Sequence, residues 1–138
     1  MKPINKLLTI LFILLLSPPS WSETIDDLVE RGGLYCKQFT YVPYTGKITG
    51  DIQGSFKNGK RDGAWVIYWD NGQLMGKVNY KNGKQEGAGV YYYDNGQLSY
   101  RGNYKNGKRD GAWVTYNYDG TVIKSWTGIF KNDVKISD

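Results

Sequence analysis

A ten-residue phrase of this chain occurs twice, letter for letter. Lys-Asn-Gly-Lys-Arg-Asp-Gly-Ala-Trp-Val fills residues 57–66 and again 105–114, and a looser copy, Lys-Asn-Gly-Lys-Gln-Glu-Gly-Ala-Gly-Val, fills 81–90. The copies are 24 residues apart. A fixed period of this length marks a repeat architecture, in which each unit leaves an apolar face unburied and its neighbours bury it. Such a chain builds an extended surface more readily than an enclosed catalytic pocket.

Two turn signals lie in every unit. Asn-Gly recurs at 58–59, 71–72, 82–83, 95–96 and 106–107, with gaps alternating between 13 and 11 residues. Both central residues of a type I′ hairpin turn need positive φ, which Asn tolerates and Gly adopts freely. The segments between turns are rich in Trp, Tyr, Val and Ile, which suit a pleated surface. The sequence therefore predicts an all-β chain: an elongated antiparallel meander of tandem hairpins in a single twisted layer. Eight to ten strands at about 4.8 Å spacing would make a sheet roughly 40 Å long.

Alternation assigns faces. Leu74, Val78 and Tyr80 are expected on one face, against Gln73, Lys77 and Asn79 on the other; Leu98, Tyr100 and Tyr104 repeat the pattern against Gln97, Arg101 and Asn103. The partner strand is apolar on both sides, with Trp65, Ile67 and Trp69 opposed to Val66 and Tyr68. Val66, Val90 and Val114, like Tyr68, Tyr92 and Tyr116, read as ladders along the sheet. Gly63, Gly87 and Gly111 share one repeat position and mark either a bulge or a seat for a neighbouring ring. Asp62, Glu86 and Asp110 precede them and are equally periodic, which makes them structural.

The ends are degenerate, as an array requires. Residues 1–22 carry Lys2 and Lys6, an apolar run from Leu7 to Leu16, Pro18 and Pro19, then small residues to Ser22: the pattern of an export leader cleaved near Ser22. Its ten-residue run falls short of the roughly 20 needed to span a bilayer. Residues 23–53 form an N-terminal cap, in which only Ile25 to Arg31 suggests a helical turn. Regular repeats follow at 54–77, 78–101 and 102–127, and a partial repeat at 128–138 supplies a short edge strand at Val134-Lys135-Ile136. Cys36 is the single cysteine and reads as a small hydrophobe on a strand.

Charge and chemistry narrow the function. The formal charge of +5 includes Lys2 and Lys6, and the remaining cations are interleaved with acids rather than massed into the stripe that nucleic acid requires. The chain has no His, so no Ser/His or Cys/His pair and no histidine metal ligand exists. The Asp-Asn-Gly turns match neither the 12-residue calcium loop nor the calcium nonapeptide. The expectation is a non-enzyme with no cofactor and no metal.

The unit Gly-x-Tyr/Phe-Lys-Asn-Gly-Lys-x-x-Gly-x-Trp-x-x-Tyr-x-x-Asn-Gly-Gln-Leu resembles the MORN-repeat variant of bacterial proteins, YwqK-type antitoxin-like proteins among them. The resemblance runs from about Gly46 to Asp133. Gly54, Gly59, Gly63, Trp65, Tyr68 and Gly72 carry it in one copy, and Gly102, Gly107, Gly111, Trp113, Tyr116 and Gly120 in another. Gly89 departs from it where Trp is expected. The resemblance implies a sheet of hairpins that makes protein contacts, self-associates or lies near a membrane, without enzyme activity of its own.

Trp65, Ile67, Trp69, Tyr91, Tyr93, Trp113 and Thr115 form the candidate binding surface. Either these rings cover the glycines and each other, or part of the face stays open for a partner. The favoured function is an exported scaffold for protein–protein contact or self-association in the cell envelope, periplasmic or secreted. Cell-wall glycan binding by the aromatic face is the alternative, and an antitoxin-like or membrane-surface role the third. For the last, Lys57, Lys60, Lys81, Lys84, Lys105, Lys108 and Lys131 would line one edge. Specificity is sought where copies disagree, at Trp69/Tyr93/Asn117, Ile67/Tyr91/Thr115 and Gly89.

Overall fold

In the computed structural model residues 22–138 are described, so all but the last residue of the expected leader lies outside them. The first hairpin, β1 (Leu28–Arg31) and β2 (Leu34–Lys37), stands apart as a two-stranded sheet. Nine strands then follow: β3 (Gly46–Ile48), β4 (Ile52–Lys57), β5 (Lys60–Tyr68), β6 (Leu74–Lys81), β7 (Lys84–Tyr92), β8 (Leu98–Lys105), β9 (Lys108–Thr115), β10 (Gly128–Lys131) and β11 (Val134–Ser137). They lie side by side in chain order, every neighbour antiparallel. The predicted all-β meander is the fold.

The two Asn-Gly turns of a repeat differ, contrary to the single turn type expected. Asn58 and Gly59 both have positive φ, 51° and 77°, and Lys57 pairs directly with Lys60, which is the two-residue type I′ hairpin. At 71–72 only Gly72 is positive, at 79°. There Gly72 N–H donates to Trp69 O and Trp69 N–H to Gln73 O, both 2.8 Å, so the loop is one residue longer and closes on a left-handed glycine. Asn71 serves this turn by its side chain, accepting the Gln73 N–H through Oδ1 at 2.9 Å.

The bulge reading of the third glycine holds. Between the pairs Gln53↔Val66 and Ser55↔Asp62, Gly54 alone faces the segment 63–65. Gly63 takes φ 74° there, and a Cβ at that position would meet nothing within 4 Å, so backbone conformation, not a ring, demands glycine. A second bulge corrects the face of Leu74. Ile67 pairs with Gly76 but Tyr68 with Leu74, so the extra residue Met75 turns Leu74 to the Tyr68 side, away from Val78 and Tyr80. Ser99 does the same for Leu98, which pairs with Tyr92 while Tyr100 pairs with Tyr91.

Irregular chain marks both ends of the array, and the last strand at the far end is β11. The predicted helical turn covers Ile25–Asp27 only, and the residues after it extend into β1. Glu23 bridges Ile48 and accepts the Thr49 N–H at 2.9 Å, so the β3 edge is occupied. The β1–β2 hairpin seats on the first regular turn, Tyr35 N–H donating to Gly59 O and Gly59 N–H to Tyr44 O. Cys36 is buried and free, as a small hydrophobe on β2. At the other end a helical turn at Lys124–Trp126 absorbs the extra residues of the last repeat. Asp133 then stands where Gly would, at φ 69°.

Candidate functional site

Strand register sets the two faces of the sheet. One, the inner face, carries the buried residues Phe56, Trp65, Val78, Trp113 and Phe130. A row crosses it from Trp65 through Val78, Gly89, Gly102 and Trp113 to Gly128. Each Trp lies flat over a glycine of the adjacent strand: a Cβ on Gly54 would stand 2.8 Å from Cγ of Trp65, and one on Gly102 2.6 Å from Cγ of Trp113. The rings also pack on each other edge-on, Phe56–Trp65 at 5.1 Å and Tyr104–Trp113 at 4.9 Å. Arg61 sits 4.9 Å from the Trp65 ring, and Arg109 4.1 Å from that of Phe130.

The copies disagree on this face because neighbouring strands exchange volume. The pairs Gly54 with Trp65 and Gly102 with Trp113 become Val78 with Gly89 in the middle copy, the larger residue moving to the other strand. In the next row Ile52 pairs with Ile67, Gly76 with Tyr91 and Tyr100 with Thr115. The Tyr91 ring lies over Gly76 and stacks on Tyr100 at 4.7 Å. Burial there pushes the Tyr91 phenol up to about 12 and raises those of Tyr100 and Tyr104.

The candidate surface is thereby corrected. Trp65 and Trp113 share the face with Ile67, Tyr91 and Thr115, but they are only 1% and 4% exposed. They pack as core because a single-layer sheet has no second layer, and these rings over glycine are its main burial. Ile67, Tyr91 and Thr115 are half-buried beside them. Trp69 and Tyr93 lie at the hairpin tips and stitch one repeat to the next: Trp69 Nε1 donates to Tyr92 O at 3.2 Å and the Tyr93 hydroxyl to Tyr116 O at 2.8 Å. Asn117, in the last copy, has no next tip to reach and donates to Thr121 of its own turn.

The opposite face holds a groove that no motif in the sequence announces. Val66, Lys77, Val90, Arg101 and Val114 form one continuous row across five strands. Beside it run Ala64, Asn79, Ala88, Asn103 and Ala112, with Ala64 paired to Asn79 and Ala88 to Asn103. Together they line a cavity of about 750 Å³, open to solvent, with Lys77 and Arg101 exposed and no acid in its wall. The small residue Ala makes the depression, since Val and the cations rise on one flank. Its only sequence signal is the period itself: Ala64/Ala88/Ala112 and Val66/Val90/Val114 do not vary.

The predicted lysine edge is present. Lys57 pairs with Lys60, Lys81 with Lys84 and Lys105 with Lys108, all exposed, and Lys131 meets Asp110 at 2.9 Å. Among the described residues no three of His, Cys, Asp and Glu gather as a metal site, and no helix is long and apolar enough to cross a membrane.

The family model for the MORN repeat variant matches residues 61–82 and 85–106, and that for the MORN repeat matches residues 53–64. No curated protein matches the chain.

Proposed function

Because the chain carries MORN repeats, a class of module that contacts proteins or membranes, we propose that it is a non-enzymatic scaffold whose grooved face docks a protein. One observation carries this reading. Trp65, Tyr91 and Trp113 on the aromatic face are taken up by packing over glycine, while the opposite face leaves a depression open between a row of Val with Lys77 and Arg101 and a row of Ala with Asn79 and Asn103. An exposed apolar depression rimmed by polar groups is the usual form of a protein contact. The basic and apolar leader of residues 1–22 supports placing this contact in the cell envelope after export. The glycan alternative needs rings lying open for stacking, and on the aromatic face Trp65 and Trp113 do not supply them.

A random peptide library selected on the chain tests the reading. Ala88→Trp fills the groove floor from an exposed position and leaves the inner face untouched. Peptides recovered on the wild-type chain should fail to bind Ala88→Trp, with its melting unchanged. Binders indifferent to Ala88→Trp would place the contact elsewhere. A scattering mass that rises with concentration, and falls back in Ala88→Trp, would make the partner a second copy.

A further inference from the structure

Resting on that reading, we propose that the groove takes an amphipathic α-helix of a partner protein, laid across the strands, with two carboxylates seven residues apart that meet Lys77 and Arg101. The shape of the groove sets the direction. Its lining runs from Ala64 on β5 to Val114 on β9, four inter-strand spacings or about 19 Å. Along the strands it holds two rows about 7 Å apart, Val alternating with Lys77 and Arg101 in one and Ala alternating with Asn79 and Asn103 in the other. The Tyr68, Tyr92, Tyr116 ladder bounds them on one side, and on the other stand Asp62, Glu86 and Asp110.

Backbone chemistry selects the helix. The strands beneath have their N–H and C=O groups committed to the ladders, so a segment on the face of the sheet finds no backbone partner there. An extended peptide over Ala and Val would leave its own amides unpaired at a cost of about 1–3 kcal/mol each. A helix satisfies them internally, and a helix on a sheet is a standard two-layer solution.

Charge and spacing specify the acids. Neither Lys77 nor Arg101 enters an ion pair among the described residues. They stand two strands apart, about 10 Å, and seven helical residues rise about 10.5 Å. Val90 lies between them in the same row, and Val66 and Val114 flank them. The facing stripe of the partner helix therefore reads apolar, acidic, apolar, acidic, apolar at alternating steps of three and four residues. Asp62 and Glu86 on the far flank, which enter no ion pair among the described residues, disfavour acids on that side and fix which way the helix rolls.

A fluorescent synthetic helix with Glu at two positions seven apart and Leu between them, titrated onto the full chain by anisotropy, tests this. Replacing both Glu by Gln should weaken binding about tenfold, and the double variant Lys77→Glu, Arg101→Glu should reverse the preference toward a Lys-bearing peptide. A central Pro in the peptide should abolish binding. Equal affinity of the Gln or Pro peptide, or no change of preference on charge reversal, overturns the inference. If binding is blocked by Ala88→Trp yet indifferent to charge and to Pro, the groove stands and the acidic helix does not. If no peptide is displaced by Ala88→Trp, both fall.

Discussion

Gly102→Ala places the closure of the inner face under direct test. A methyl on Gly102 would lie 2.6 Å from Cγ of Trp113 and closer still to Cδ2 and Cε2, where real side-chain atoms do not approach. The ring is 4% exposed and its Nε1 donates to Asn103 O at 2.9 Å, so it cannot slide away without losing that bond. Overpacking of this kind costs about 1–3 kcal/mol, and the lost hydrogen bond adds about 1 kcal/mol. Relief of glycine's strand penalty returns about 0.5–1 kcal/mol. The net, about 1–3.5 kcal/mol, corresponds to a fall in melting temperature of roughly 4–14 °C for a chain of this size. Gly63→Ala is the matched control: nothing stands within 4 Å, and only its φ of 74° is strained, at about 1–2 kcal/mol. Thermal unfolding followed by tryptophan fluorescence and near-UV dichroism reads both. Gly102→Ala should shift the native tryptophan signal as well as the midpoint, and Gly63→Ala the midpoint alone. A Gly102→Ala variant that melts with the wild type would mean the ring is not seated on the strand. The inner face would then be open, and Trp113 would return as a contact residue.

Two further expectations follow from the tips and the phenols. Asn95→Asp keeps the acceptor for Gln97 N–H but removes the donor to Tyr118 O, and should cost about 0.5–1.5 kcal/mol in urea unfolding. Asp119→Asn, in the last tip where the side chain only accepts, from Thr121 N–H and its hydroxyl, should lower the urea midpoint less than Asn95→Asp. Tyr91 is pushed from 10.0 to about 12, and Tyr100 and Tyr104 are also raised. Raised phenols favour the folded state while neutral, so their contribution is full below about pH 10 and is lost as pH climbs through the folded values. Melting temperature should fall from pH 10 upward, and the tyrosinate absorbance should rise later than that of free tyrosine.

What was legible in the chain was whatever the period enforces on every copy. Asn58-Gly59, the bulge at Gly63 and the Val66 and Tyr68 ladders could be placed because the same residue must solve the same backbone problem three times. Register defects were not legible. Met75 and Ser99 look like any strand residue, yet each turns the residue before it, Leu74 and Leu98, to the other face. Nor could alternation tell Asn71-Gly72 from Asn58-Gly59, since the dipeptide suits either loop and the length of the connection decides. For the candidate surface the chain left two alternatives, and Trp65 and Trp113 take the one in which the rings cover glycines. Aromatic residues at one repeat position look like a display, and only the partner strand reveals the glycine that each ring covers.

That last point inverts the usual inference from repeat variation. Trp65/Gly89/Trp113 varies against Gly54/Val78/Gly102, and Ile67/Tyr91/Thr115 against Ile52/Gly76/Tyr100, each pair meeting across one strand boundary. Asn117 and Asp119 differ from Tyr93 and Asn95 because nothing follows them to be bonded. Packing and chain ends therefore account for the disagreements. The groove obeys the opposite rule: its Ala and Val positions do not vary, and its cations occupy one repeat position, 77 and 101, where the first copy has Gln53. A helix docked there would meet the same chemistry one repeat further on. Shifted by one repeat, the two carboxylates would meet Gln53 and Lys77, and at Gln53 one of them finds no charge. Gln53→Lys should therefore add a second register and tighten binding of a two-carboxylate helix by about twofold, the statistical factor for two equivalent sites. A Gln53→Lys chain that binds the peptide no more tightly than the wild type would show that the row of cations is not what the helix reads.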